Sequence, residues 1–153
     1  MVRMTELTPS LQDAVEKGFN PTFAGKPFVM GPSLPKRRVA VVTSAGLSRR
    51  GEPLFRLGDS SYRAIPAATP ASELLMSHVS INFDRTGFMR DQNVLFPVER
   101  LYELAAEGTI GSVAATHYSF MGAGHPAPME PYAREVAERM KTDDVDAVLL
   151  TPA

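Results

Sequence analysis

Apolar residues occupy consecutive positions in Val39-Ala40-Val41-Val42, between Arg38 and Thr43. A β-branched run with no polar alternation predicts a strand over 38–43 buried on both faces, as in a parallel sheet. Ser61–Ile65 alternates instead and stops at Pro66, which predicts an edge or outer strand. Thr69 and Pro70 predict the cap and first position of a short helix that buries Leu74-Leu75-Met76. His78–Phe83 predicts a third strand. Pro97–Glu107 predicts a helix with Leu101, Leu104 and Ala105 on one face and Gly108 as its left-handed stop. Val113–Phe120 predicts a strand. Pro131–Lys141 predicts a helix with Tyr132, Val136 and Met140 inward and a Glu135–Arg139 pair outward. Val145–Leu150 predicts the last strand. Strands alternating with helices give the class: α/β, a mostly parallel sheet with helices on both faces, Rossmann-like and three-layered, truncated at the C-terminus.

Residues 1–36 stand apart from this pattern. Thr8, Pro9 and Gly18 predict the cap, first turn and end of a short helix with Leu11, Ala14 and Val15 on its apolar side. Pro21, Pro27, Pro32 and Pro35 then forbid regular structure as far as Lys36. The expected organisation is a proline-rich arm over 1–36, a strap across the domain or a partner, and an α/β domain over 37–153.

Composition narrows the classes. The 153 residues carry 16 Lys+Arg against 17 Asp+Glu, a net charge of −1, with no basic stripe for nucleic acid or an anionic membrane. Cysteine is absent, which excludes disulfides, thiolate zinc sites and a cysteine nucleophile within these residues. No apolar stretch has signal-peptide or membrane-span length, so a cytoplasmic location is expected. Apolar Leu149 and Leu150 on the last strand would need cover from another copy, so a homo-oligomer is expected as well.

Ligands of open α/β sheets bind beyond the carboxyl ends of the strands. That directs attention to Ser44–Gly51, Asp84–Asn93, Met121–His125 and Thr151. Gly46 and Gly51 have P-loop spacing, yet Glu52-Pro53 stand where that motif needs Lys and Ser/Thr. The G-x-G-x-x-G fingerprint fails too, which weakens a nucleotide-binding reading. Ser44 and Gly46 either line a backbone pocket for a small carboxylate or form a plain strand exit. His78, Asp84 and Arg85 either move a proton and bind a substrate acid, or His78 is structural, bonded to a loop carbonyl. Gly122 belongs to a glycine-rich exit that could line the same pocket. His78, His117 and His125 lack ligand spacing, so no metal site is expected.

Several segments, taken in order, resemble the glycine/sarcosine/betaine/D-proline reductase family. They are Thr43-Ser44-Ala45-Gly46, Ser61–Pro66, Ser77-His78, Asp84, Phe96–Leu101, Glu107–Gly111, Phe120-Met121-Gly122 and Val145–Thr151. The resemblance is to its selenoprotein B type, which includes the selenium-bearing subunit of D-proline reductase. It implies selenocysteine, or cysteine in some members, immediately after Ala153, with Thr151 flanking that position. Selenocysteine is encoded by UGA, so an open frame would continue past it. It also implies reductive C–N cleavage of an amino-acid-type substrate held on a pyruvoyl group of a partner subunit, with a low-pKa chalcogen as nucleophile. His78 is then the expected proton donor and Arg85 the partner of a substrate carboxylate. Val79–Asn82 replace the small residues that the D-proline branch carries after its His, which leaves the substrate open. The competing class is a non-catalytic α/β binding or interaction module, complete as it stands.

Overall fold

A computed structural model describes residues 4–18, 25, 28–81 and 83–153. Its strands are β1 (Arg38–Thr43), β2 (Leu47–Arg49), β3 (Arg63–Pro66), β4 (Leu74–Met76), β5 (Ser112–Val113), β6 (Thr116–Ser119) and β7 (Ala147–Thr151). Its α-helices are α1 (Pro9–Gly18), α2 (Thr86–Arg90), α3 (Val98–Ala106) and α4 (Glu130–Thr142).

β1 is the axis of the main sheet. It pairs in parallel with β5, β6 and β7. Val39 faces both Val113 and Ala147, and Val42 both Tyr118 and Leu150, so β5 and β6 share one edge of β1 and β7 takes the other. β3 closes the β6 side antiparallel, from Arg63 opposite Ser119 to Pro66 opposite Thr116. Pro66 lacks an N–H, so this outer position suits it.

The unbroken apolar run of β1 follows from cover on both faces. Val39 and Val41 join Leu47, Ile65, Phe96, Val98 and Leu101 in one buried cluster, to which α3 contributes its apolar face. Ala40 joins Ala114, Tyr118, Phe120, Val136 and Met140 in the other, to which α4 contributes. Among the described residues, no residue of the arm belongs to either cluster. The mostly parallel α/β class is therefore present. A Rossmann-like layering is a finer statement than these elements make.

The helix expected after Pro70 is not formed. A single 3-10 turn, Ala71–Glu73, leads into β4, which pairs antiparallel with β2 through Leu47–Met76, Ser48–Leu75 and Arg49–Leu74. The apolar triplet is a ladder strand whose Leu74 enters the core, and pairing overrides the start signal. Nor are residues 78–81 and 83 a strand: Ile81 is 94% exposed and these residues pair with no strand; Asn82 lies outside the described residues. The expected strand Val113–Phe120 is interrupted at Ala114-Ala115, between β5 and β6. On α4, Val136 and Met140 are buried as expected, but Tyr132 is exposed. Glu135 and Arg139 pair at 3.0 Å. In the arm, α1 begins at Pro9 as expected and Leu34–Lys36 form a 3-10 turn, while Pro21 and Pro27 lie outside the described residues.

Gly108 ends α3 with φ +72 and open space around its missing Cβ. The cost of a side chain there is conformational only, so Gly108→Ala should lower stability by about 1 kcal/mol, read from urea midpoints. An unchanged midpoint would show that this stop is not a left-handed cap in solution.

Candidate functional site

The parallel strands β1 and β7 end side by side, with Thr43 in register with Thr151. The Ser44 amide donates to the Thr151 carbonyl (3.1 Å), and Thr43 Oγ1 donates to the same oxygen (3.2 Å). Two residues on, the Ala153 amide donates to Ser44 Oγ (2.9 Å). Thr151 Oγ1 donates to the Leu95 carbonyl (2.7 Å), which ties the same strand end to the core. The terminus of β7 is thus held at four points.

From the other edge, the exit of β6 closes on Ser44. The Phe120 amide donates to the Thr43 carbonyl (2.8 Å) and the Gly122 amide to the Ser44 carbonyl (2.9 Å). Ala45 and Met121 form an antiparallel bridge between these hydrogen bonds. Gly122 is required by space: a Cβ there would stand 2.8 Å from Ser44 Cβ and 3.0 Å from Ser44 Oγ. Gly46 answers both needs of a glycine. Its φ is +66, and a Cβ would meet the His78 backbone nitrogen at 3.0 Å. Its amide donates to the Phe120 carbonyl (2.9 Å), and its carbonyl accepts the Ser77 amide (2.9 Å) and Ser77 Oγ–H (3.1 Å).

Ser44, Gly46, Gly122 and Thr151 therefore share one connected strand-end cluster, and the His78 backbone joins it through Gly46. The His78 side chain is buried, with its ring 4.6 Å from that of Phe83. Its Nδ1 accepts the Ser80 amide (3.2 Å), which places the hydrogen of the neutral ring on Nε2. Among the described residues Nε2 has no partner. Burial, then the nearby Arg85 guanidinium, lower the His78 pKa and keep the ring neutral at pH 7.

Arg85 and Asp84 do different work. Arg85 donates to the carbonyls of His78 (2.6 Å) and Ser80 (3.3 Å), so it braces the loop that carries His78. Asp84 is exposed and accepts from the Thr86 amide (2.9 Å) and hydroxyl (2.7 Å) at the start of α2. Those two hydrogen bonds hold its carboxyl below the usual range.

Two supporting residues escape a reading based on strand exits. Ser119 is fully buried, and its Oγ accepts the Leu47 amide (2.8 Å), joining β6 to β2. His117, also fully buried, accepts the Val41 amide at Nδ1 (3.0 Å) where the break in the neighbouring strand removes a carbonyl. Both are polar residues of β6, Thr116–Ser119, whose mixed sequence gives no sign that their side chains are buried.

Beside the strand ends lies an open, mostly apolar depression of about 590 Å³, lined by residues including Val42, Ser44, Phe120, Met129, Leu150 and Thr151. No charged side chain among the described residues lines it. Among the described residues no group of three or more His, Cys, Asp or Glu is placed to hold a metal ion. No helix among them is long and apolar enough to cross a membrane.

The described site falls within residues 31–153, which match the family of glycine/sarcosine/betaine reductase selenoprotein B. The chain is 36% identical over 116 residues to the D-proline reductase subunit gamma of Acetoanaerobium sticklandii, covering 74% of this chain and 47% of that one. It is 32% identical over 123 residues to the glycine reductase complex component B subunit gamma of Symbiobacterium thermophilum, covering 77% and 29%. The corresponding subunit of Carboxydothermus hydrogenoformans is 29% identical over 124 residues, with 77% and 28% covered. The chain thus spans about half the length of the first of these relatives and under a third of the other two. No solved structure matches it. The extent of the family match and the identity to these reductase subunits place the chain in the glycine/sarcosine/betaine reductase selenoprotein B family.

Proposed function

We propose that residues 37–153 are the N-terminal part of a reductase-complex subunit, preceded by an arm over 1–36, with a selenocysteine or cysteine directly after Ala153. The observation that carries this reading is the strand-end cluster: Ser44 holds the chain at Thr151 and Ala153 while Gly122 packs against it. A reactive residue placed next would be presented from a fixed strand end, the rigidity that nucleophilic catalysis needs. When present, selenocysteine supplies an ionised nucleophile at neutral pH that can also cycle between reduced and oxidised forms.

This chain's own residues then divide the remaining work. Ser44 and Gly122 set the position of the strand end. His78 stays neutral, so its Nε2–H serves a departing amine as a hydrogen-bond donor, and the proton that the amine takes up comes from solvent. Arg85 keeps the His78 loop in place, and Asp84 starts α2. The substrate is an amino acid or related amine that undergoes reductive C–N cleavage. As the family resemblance implies, it is carried on a pyruvoyl group of a partner subunit. The protein works in the cytoplasm. Alone, the 153-residue chain associates with itself through the apolar residues of β7.

Sequencing the locus tests the reading. The expected result is a UGA or cysteine codon after Ala153 with an open frame beyond it. The product should consume a dithiol in the presence of its amino-acid substrate and partner subunit, and the 153-residue chain should not. A UAA or UAG codon, or a UGA with no coding frame downstream, would overturn it. In the full product, His78→Gln should lower turnover at least tenfold while shifting the unfolding midpoint little. Equal turnover in wild type and variant would remove His78 from the chemistry.

A further inference from the structure

Strand β7 leaves one edge of the sheet unpaired among the described residues, and its side chains from Ala147 to Leu150 are apolar. Leu150 is 69% exposed, and Val148 and Leu149 are also exposed. Val148 and Leu150 pair with Ala40 and Val42, which lie on the α4 face of the sheet. On that face two depressions, of about 590 and 500 Å³, both reach Leu150. Together they form a groove between β7 and the flank of α4, bordered at one end by Phe28 and Val29 of the arm, where Ala133, Ala137 and Met140 succeed one another at helical spacing. Small residues at 133 and 137 allow close approach by another helix.

Connectivity says which helix. α3 delivers the chain to β5 on one edge of β1 and lies on the Val39/Val41 face. α4 delivers it to β7 on the opposite edge and lies on the Ala40/Val42 face. Opposite directions on opposite faces satisfy the single hand that parallel crossovers obey. A further parallel strand outside β7 continues in the α4 direction, so its connecting helix must cross the α4 face. That path runs over the groove.

We propose that this groove holds a helix of the segment following Ala153, and that the free edge of β7 receives the strand this helix leads to. The inference rests on the reading that the chain continues past Ala153. It is supported by the length of the relatives: the matched part is only 47% of the D-proline reductase subunit. The occupant is an amphipathic helix whose apolar stripe meets Leu150, Val148 and the alanines of α4.

The test compares the product read through the codon after Ala153, with serine at that codon, against the 153-residue chain. Hydrogen exchange of 146–152 and alkylation of a Leu150→Cys probe are followed over a hundredfold dilution. The full product is expected to protect both at least tenfold, independently of concentration, while protection in the 153-residue chain falls on dilution. Exposure of β7 in the full product to the same extent as in the diluted 153-residue chain would overturn the inference and leave the redox reading standing. Protection of the full product that vanishes on dilution would assign the groove to a second copy and overturn it too. Exchange in the unsubstituted chains decides the matter if the cysteine variant does not fold. Absence of any frame beyond Ala153 would remove both proposals together.

Discussion

Between pH 7 and pH 4 the folded chain is expected to lose about 3 kcal/mol of stability through His117 alone. Burial pushes the His117 pKa down to about 4, partly offset by the charge of Asp143. The sign follows from proton counting. Below about pH 6.5 the unfolded chain takes a proton on this imidazole, and the folded chain does not until pH 4 is approached. The unfolded state therefore binds more protons across that window, and stability falls as the pH falls, at up to about 1.4 kcal/mol per unit. The cause is local: Nδ1 already accepts the Val41 amide, and the ring stands edge-on to Phe96 with 5.6 Å between centroids. Protonation at Nδ1 would set two donors against each other inside the sheet. Urea unfolding at pH 7, 5.5 and 4 measures the slope. His117→Asn keeps an acceptor near Nδ1 and cannot titrate, so its stability should vary less over the window than that of wild type. His117→Ala leaves the Val41 amide unpaired beside a cavity and should cost about 2–4 kcal/mol at pH 7. Parallel pH profiles for wild type and His117→Asn would show that this ring does not govern the acid response.

His117 also explains part of what the sequence left illegible. A reading by apolar period makes Val113–Phe120 one strand, and β1 does run beside all of it. At the break a side chain takes the place of a carbonyl in the ladder, which no periodicity records. The same limit applies to Leu74–Met76. Three apolar residues satisfy a helix turn or a strand equally, and only the presence of Leu47–Arg49 opposite decides. Val79, Ile81 and Phe83 alternate as a strand should, yet the segment is held as a loop by the Ser80 amide on His78 Nδ1 and by Arg85 on the His78 and Ser80 carbonyls, and it joins neither sheet. By contrast β1, α3 and α4 were legible because each carries a long pattern with a matching start or stop. The candidate site divides on the same line. Ser44, Gly46, Gly122 and Thr151 were legible because parallel strands put their exits on one edge whatever the loops do. Asp84 and Arg85 were placed by proximity to His78 in sequence, and only coordinates reveal a helix start and a loop brace.

On the function proposed above, Gly122→Ala is expected to abolish most activity of the product read through the codon after Ala153, at modest cost in stability. The new methyl group would stand 2.8 Å from Ser44 Cβ and 3.0 Å from both Ser44 oxygens, so something must shift. The backbone on each side is pinned by the Ala45–Met121 bridge and by the Gly122 amide on the Ser44 carbonyl. Ser44 is the group that gives way, and it carries the hydrogen bonds that position Thr151 and Ala153. Overpacking of this kind costs about 1–3 kcal/mol. Displacing a reactive group by about 1 Å can cost on the order of a hundredfold in rate. Turnover should therefore fall far more than the unfolding midpoint. Gly124→Ala is the control: its methyl would lie 3.6 Å from Met129 Cε, ordinary contact, and should leave both quantities near wild type. Ser44→Gly removes the atom Gly122→Ala strikes first, so the double variant should recover stability relative to the sum of the single changes. It should not recover turnover, because the hydroxyl that holds Ala153 is gone. Additive stability losses, or a Gly122→Ala enzyme with wild-type turnover, would show that the Ser44–Gly122 contact does not set the strand end.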